Sequence, residues 1–442
     1  MEENTILILI RKRSPRLQYV FRQIFKRILR VEYRLTDQLE EFVAHNGVKF
    51  SYTPERFGNE FHIHSSGFLY EKGLRAVNLN PGEWEGLPVL FVSPAEASLP
   101  FDLFSAIFYL ISRYEEYLVD NRQTDEHGRF PAEKSIAYRL DFLHIPVVEM
   151  WLDRFKKLLT GRFPDFSFPK PAFVFNPLLA VTVSHLFKHK GIIRLAGGIA
   201  DDWLHLRLKK SWLRIKYGLF KRKDPYDTFY KFIALKKSYK HALLTFFLTG
   251  TYSNYDHNIA PTRPMFKKLV KTLADYTGIG LLASYYAAEN PRMFKREWAK
   301  LEELIHKPVH KVHFHYYRQQ MPVSYRQLWE MEFTDDYSMG YPQRIAFRAS
   351  TAHPFPFYDL TEETETDLTI HPVIISDYKL NFHLKFPPEK ALQQFIETGQ
   401  LIRKYGGYYE PVIHNAILSE FEEWKNWSKV YIEMIKFFSR EL

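Results

Sequence analysis

Leu243-Leu-Thr-Phe-Phe-Leu248 opens the most informative stretch of the chain. A helical segment from Pro264 to Tyr276 follows, then Ile279-Gly-Leu-Leu282, a second helical segment from Pro291 to His306, and Val312-His-Phe-His-Tyr316. The short apolar runs suit buried strands, and the longer segments between them carry apolar residues at helical spacing. Strand–helix alternation of this kind argues an α/β barrel or an open parallel sheet. In a barrel, chemistry gathers at the C-terminal ends of the strands and in the loops that follow.

The same alternation continues on both sides. Leu179–Val183 precedes it, and Ile370–Ile375 and Tyr408–Ile413 follow as strands, with helices at Tyr325–Met331 and Pro388–Tyr405. A second domain is therefore expected over residues 172–442. Ahead of it, Arg162-Phe-Pro-Asp-Phe-Ser-Phe-Pro-Lys-Pro171 is too rich in proline for regular structure and marks a boundary. Residues 1–165 read as an N-terminal α/β domain. Its strands are expected at Ile6–Ile10, Val31–Leu35, Phe61–His64 and Leu87–Val92. Its helices are expected at Arg16–Leu29, Phe101–Tyr117 and Val147–Leu159.

The 442 residues include no cysteine, which excludes disulfides, thiolate metal sites and cysteine nucleophiles. Apolar residues make up 46% and charged residues 25%, proportions of a globular protein. At the N-terminus acids come first and the apolar run Ile6–Ile10 is too short for a secretory signal, so a cytoplasmic protein is expected. The net charge is +10, and part of the excess is local. Arg207, Lys209, Lys210, Arg214, Lys216, Lys221, Arg222 and Lys223 interleave with Trp203, Leu206, Trp212, Ile215 and Leu219 on a helical spacing. A basic helix over 203–223 suits a solvated surface, peripheral contact with an anionic membrane, or a scaffold for a partner. No nucleic-acid partner is expected, because no binding module accompanies the charge.

Several short motifs occur in a fixed order. Phe101-Asp-Leu-Phe-Ser-Ala-Ile-Phe-Tyr-Leu-Ile-Ser-Arg-Tyr-Glu-Glu-Tyr117 and His127-Gly-Arg-Phe-Pro-Ala-Glu-Lys-Ser135 lie in the first domain. Asp224-Pro-Tyr-Asp-Thr-Phe229, Asp335-Asp-Tyr-Ser-Met-Gly-Tyr341, Phe347-Arg-Ala-Ser350, Pro354-Phe-Pro-Phe-Tyr-Asp-Leu360 and His414-Asn415 lie in the second. Together they make the second domain resemble the polysaccharide deacetylase (NodB-homology, carbohydrate esterase family 4-like) proteins. The first resembles the companion domain of a divergent bacterial branch. The resemblance implies a distorted (β/α) barrel. It also implies hydrolysis of acetyl groups on sugars, assisted by a divalent metal such as zinc, an aspartate base and a histidine acid.

The residues at those positions depart from the family pattern. Leu179-Ala-Val-Thr-Val-Ser-His-Leu-Phe-Lys-His-Lys-Gly191 places Ala180 and Thr182 where two aspartates are expected. Gly280-Leu-Leu-Ala-Ser-Tyr285 places Leu282 where a metal histidine is expected, and His313-Phe-His315 stands for Arg-Gln-His. The chain is therefore expected to bind no metal cofactor and to lack the family's activity, with a carbohydrate or glycolipid as its ligand. Ligand contacts are expected from Arg348, His315, His313, Ser284 and Tyr285. An alternative is a hydrolase rebuilt around His313, His315, Asp336 and His414, with His414 and Asp336 catalytic. His310, His313 and His315 could also seed a different metal site. Asp335 and Asp336 suit a turn, and Arg348 suits a buried salt bridge with Asp336 or Asp359.

Overall fold

The protein is described by a computed structural model over residues 5–118, 123–218, 220 and 222–439. The first unit is built on β1 (Thr5–Ile10), β2 (Glu32–Thr36), β3 (Lys49–Thr53) and β4 (His62–His64), all parallel in the order β2-β1-β3-β4. Residues Ile6–Ile10 of the second strand in that order are all buried, as a centrally placed parallel strand requires. The helix Pro15–Phe21 starts at Ser14, whose Oγ accepts the Leu17 N–H, and Pro15 fits the first turn because its missing N–H would have had no partner. It runs on in wider π-type turns to Ile28, so that Phe21 and Phe25 pack against Phe104. The helix expected over Phe101–Tyr117 is broken at Arg113, whose φ is 52°, into Leu103–Ile111 and Tyr114–Tyr117. A hairpin of β5 (Gly82–Trp84) and β6 (Leu87–Val89) lies beside it.

The second unit comprises β7 (Phe173–Phe175), β8 (Leu178–Val181), β9 (Leu244–Leu248), β10 (Gly278–Ala283), β11 (Lys311–Phe314), β12 (Asp335–Met339), β13 (Phe355–Asp359), β14 (Thr364–Pro372), β15 (Gly407–Tyr409) and β16 (Val412–His414). Eight of these form one curled sheet in the order β13-β14-β12-β11-β10-β9-β8-β16. All neighbours in it are parallel except the edge pair β13 and β14. The last strand therefore lies beside the first. Past β14, a bridge between Ser376 and Val412 and a Val412 N–H bond to the Ile375 carbonyl (3.1 Å) draw the two ends of the curl together. Helices such as Pro264–Ala274, Pro291–Ile305 and Pro388–Tyr405 cover the outside. Among the described residues, no helix is long and apolar enough to cross a membrane.

Three local expectations are corrected. Asp335 and Asp336 lie in β12, not in a turn. Tyr408–Ile413 is two strands, interrupted at Glu410-Pro411, where proline has no N–H for a ladder. The basic segment 203–223 is not one helix. Trp203 and Leu204 end a helix Ile192–Leu204, a turn follows, and a second helix runs Leu208–Gly218. Leu219 and Lys221 lie outside the described residues.

Candidate functional site

The C-terminal ends of the parallel strands gather at one mouth. Just below it lies an apolar floor. Leu178 and Ala180 of β8, Leu244, Phe246 and Leu248 of β9, Leu282 of β10 and Tyr337 of β12 form one buried cluster with Tyr317, Val373 and Val412. Ala180 is 1% exposed and Leu282 0%. Thr182, two residues beyond Ala180, is half-buried. A divalent metal needs several anionic or imidazole donors at close range. Ala180 and Leu282 offer no donor, and Thr182 offers only a neutral hydroxyl. Among the described residues, no three or more His, Asp or Glu side chains cluster in a way that could hold a metal ion. The residues at the family's metal position thus do not fit the ion that the sequence resemblance implies. His310 hydrogen-bonds the Glu332 carbonyl just before β11 begins, whereas His315 follows the end of that strand, so the three-histidine cluster does not form.

Two histidines stand at the mouth, each pinned by a buried aspartate. His315 follows β11, and its Nδ1 lies 2.8 Å from Asp256 Oδ1 in the loop after β9. His414 ends β16, and its Nδ1 lies 2.7 Å from Asp377 Oδ1 in the loop after β14. Asp377 also accepts the backbone N–H groups of Tyr378 and His414, and Asp256 accepts the Ser253 hydroxyl. Burial pushes the Asp256 carboxyl up, but the hydrogen bond and charge of His315 outweigh it and hold the group below the usual carboxylate range. Both imidazoles keep 16% side-chain exposure, while Asp256 and Asp377 keep 2% and 0%. A carboxylate can only accept, so each bond places a proton on Nδ1, and whenever the ring is neutral Nε2 is the outward acceptor. No partner for either Nε2 occurs among the described residues. His313, one layer below in β11, donates Nδ1–H to the Tyr337 carbonyl (2.6 Å). Burial pushes it down to about 3, and His315 and His414 add smaller contributions in the same direction. It is a neutral wall of the mouth.

Tyrosines complete the rim. Tyr255 and Tyr285 stack at 3.8 Å, Tyr316 meets both edge-on, and Tyr378 lies 5.5 Å from the His414 ring. The first unit reaches this rim. His127 Nδ1 is 2.9 Å from the Tyr285 hydroxyl, and Arg129 Nη1 donates to the Tyr316 carbonyl at 2.9 Å. Arg318 ties the two units by donating to the His127 and Tyr285 carbonyls.

The structure thus brings His313, His315, His414 and Tyr285 together, and leaves other expected site residues elsewhere. Ser284 is buried against Glu297, which accepts its hydroxyl (2.5 Å) and its N–H (3.0 Å); burial pushes Glu297 up to about 7. Asp336 points to the outer side of β12, where it accepts from Tyr325 Oη (3.1 Å) and Ser338 Oγ (2.7 Å), and burial pushes it up to about 6. It does not reach His414. Arg348 is 2% exposed and forms a two-pronged pair with Glu116 of the first unit (2.9 and 2.6 Å), rather than with Asp336 or Asp359. Asp359 is taken by Arg326. Sequence reading missed Asp256, Asp377, Tyr316, Tyr378 and His127 as mouth residues. Asp256-His257 and Asp377-Tyr378 each follow an apolar strand in the chain, which was the available signal.

Residues 6–164 match a family model described as a family of unknown function, DUF7033. No curated protein matches the chain. Among solved structures, the chain is similar to a provisionally assigned polysaccharide deacetylase of Mycobacterium smegmatis. The two share 12% identity over 61% of this chain and 85% of that one, with a TM-score of 0.41.

Proposed function

We propose that this chain is a deacetylase-type barrel protein that binds a carbohydrate-class ligand at its mouth and has no metal-dependent hydrolytic centre. The observation that carries this reading is the apolar floor. Ala180 and Leu282 stand in the buried cluster where the sequence resemblance calls for metal and base groups. Above that floor the mouth stays polar and aromatic. Tyr378, Tyr316 and Tyr286, which meets Tyr255 and Tyr285 edge-on, present ring surface against which the C–H face of a sugar packs, and the outward Nε2 atoms of the neutral rings accept hydroxyl protons. The test is titration calorimetry with N-acetylglucosamine oligomers. Binding is expected, and Tyr378→Ala is expected to weaken it about tenfold. In parallel, protein incubated with zinc and desalted is assayed for the element. One zinc retained per chain and lost on His315→Ala would overturn this reading.

A second reading is a metal-independent hydrolase, and the paired imidazoles favour it. A histidine with Nδ1 held by a carboxylate and Nε2 directed outward is arranged for proton transfer. Here neutral His315 would accept a proton from water at Nε2, and His414, protonated on both nitrogens, would deliver its Nε2 proton to the leaving group. Hydrolysis of p-nitrophenyl acetate that disappears in both His315→Ala and His414→Ala would select this reading. Activity unchanged in either variant would remove it.

A further inference from the structure

Between β8 and β9 the chain leaves the barrel as a helical hairpin, Ile192–Leu204 and Leu208–Gly218. Its outer face is apolar and uncovered. Ile192 is 84% exposed, Ile193 89%, Trp203 63%, Leu204 82%, Leu206 84% and Leu208 64%. Along the first helix these residues join the exposed Ala196 and Ala200 on one stripe. An ordinary solvated helix puts its apolar stripe inward, and a contiguous apolar patch of this kind marks a binding surface. The charge around it is equally one-sided. Residues 188–223 hold eleven Lys and Arg against two Asp, so nine of the chain's ten net positive charges fall in this segment. Both aspartates are already engaged, Asp201 by Arg207 and Asp202 by Arg214. Lys209, Lys210, Arg222 and Lys223 are exposed.

We propose that this hairpin docks on an anionic lipid bilayer, with Ile192, Ile193, Leu204 and Leu206 entering the acyl boundary and the lysines and arginines meeting headgroup phosphates. Bare aliphatic tips beside a basic cluster with tryptophan fit an interface between hydrocarbon and negative charge. The hairpin is not a loose appendage. Its base is closed by Asp224, which follows the hairpin and accepts the N–H groups of Leu186, Phe187 and Lys188 ahead of it at 2.8–2.9 Å. Phe187 stacks on Tyr217 across it. Arg194 reaches the carbonyl of Asn258, two residues from the aspartate that holds His315. Docking therefore sets the barrel mouth close to the lipid surface. The hairpin's length of about 20 Å keeps it on one leaflet.

The test is flotation of the full chain with sugar-free vesicles of phosphatidylcholine alone or with phosphatidylglycerol, so that ligand binding at the mouth plays no part. Binding is expected to the anionic vesicles only, with a blue shift in tryptophan emission that is lost in Trp203→Phe. Replacing Arg207, Lys209 and Lys210 together by Gln is expected to weaken binding roughly 100-fold. Ile193→Ser with Leu204→Ser and Leu206→Ser is expected to abolish the shift, while circular dichroism confirms an unchanged fold. No flotation with anionic vesicles, equal flotation with both kinds, or flotation indifferent to the apolar variant would overturn the proposal. So would a dimer in sedimentation velocity that the apolar variant dissolves without any vesicle binding, which would assign the face to a second copy.

Discussion

Asp377 and Asp256 decide which nitrogen of each mouth histidine faces outward. Changing Asp377→Asn leaves one oxygen for the backbone N–H groups and turns an amide N–H toward His414 Nδ1. The proton should then move to Nε2. Imidazole nitrogen shifts in heteronuclear NMR are expected to report that tautomer change, with chain stability changed little. Glu297 offers a second residue-level test. Its carboxyl is lifted by burial from 4.5 to about 7, so the folded state holds a proton that the unfolded state releases between those values. Stability contributed by this group is therefore lost as pH rises from about 4.5 to 7. Glu297→Gln, which keeps the shape without the charge, is expected to flatten the melting-temperature profile over that window and to melt no lower at pH 8. Residue identities at the floor were legible in the sequence, because Ala180 and Leu282 sit inside recognisable motifs. The aspartate partners were not. Asp256 contacts a histidine 59 residues away, and only the closing of the sheet brings them together.

At the scale of elements, β12, β14 and the link between β15 and β16 are stitched by an ion cluster. His371 lies 2.9 Å from Asp335 and 2.8 Å from Glu410, stacked on Tyr337. Burial alone would push His371 down, but Glu410 and Asp335 outweigh it and lift it to about 9. A raised histidine contributes stability fully below 6.5 and loses it as pH climbs through 9. The melting temperature is therefore expected to fall between pH 6.5 and 9.5. His371→Gln should remove that fall and cost about 3 kcal/mol at pH 6, by stranding two carboxylates. Asp224→Ala is the matching test of the hairpin base. It removes the acceptor of four backbone amides, and hydrogen exchange at Leu186, Phe187, Lys188 and Tyr226 is expected to quicken. Some helices and apolar strands were readable from periodicity, as Pro388–Tyr405 begins and ends where the pattern does, while the strand Lys49–Thr53 and the helix Phe229–Tyr239 were not read. β12 was not, because Asp335-Asp336 reads as a turn. Lys311, His371 and the adjacent Thr334 hold Asp335, and Tyr325 with Ser338 hold Asp336, which makes two acids tolerable in a strand; Lys311, His371 and Tyr325 come from distant segments.

For the whole molecule, the two units share charges that neither satisfies alone. Arg16 pairs with Glu363, Glu116 with Arg348, and Glu149 with His353. Arg348→Ala would leave Glu116 buried beside Arg113 alone, and about 3–5 kcal/mol of stability is expected to be lost in denaturant titration. The variant should still unfold in one transition, because the same contacts bind both units into one cooperative block. Residues 172–442 expressed alone are expected to lack a sharp melt. The prolines of 161–171 lead to the expectation of a boundary there, but the ion pairs that join residues on either side of it were not legible. Glu116 and Arg348 are 232 residues apart, and the linear reading offered Arg348 a ligand or a salt bridge with Asp336 or Asp359, but not Glu116.

The apolar floor also bears on what this barrel can become. An ionised carboxylate at position 180 would enter a dry layer beside Phe246 and Leu248, so Ala180→Asp would be taken up as the neutral acid and would lower stability. Leu282→His would bring an imidazole into the same layer. Each change alone is penalised before any second donor exists to share an ion. A route to a metal centre is thus barred step by step, and packing works as a ratchet that makes ion binding harder to acquire at this floor than to avoid.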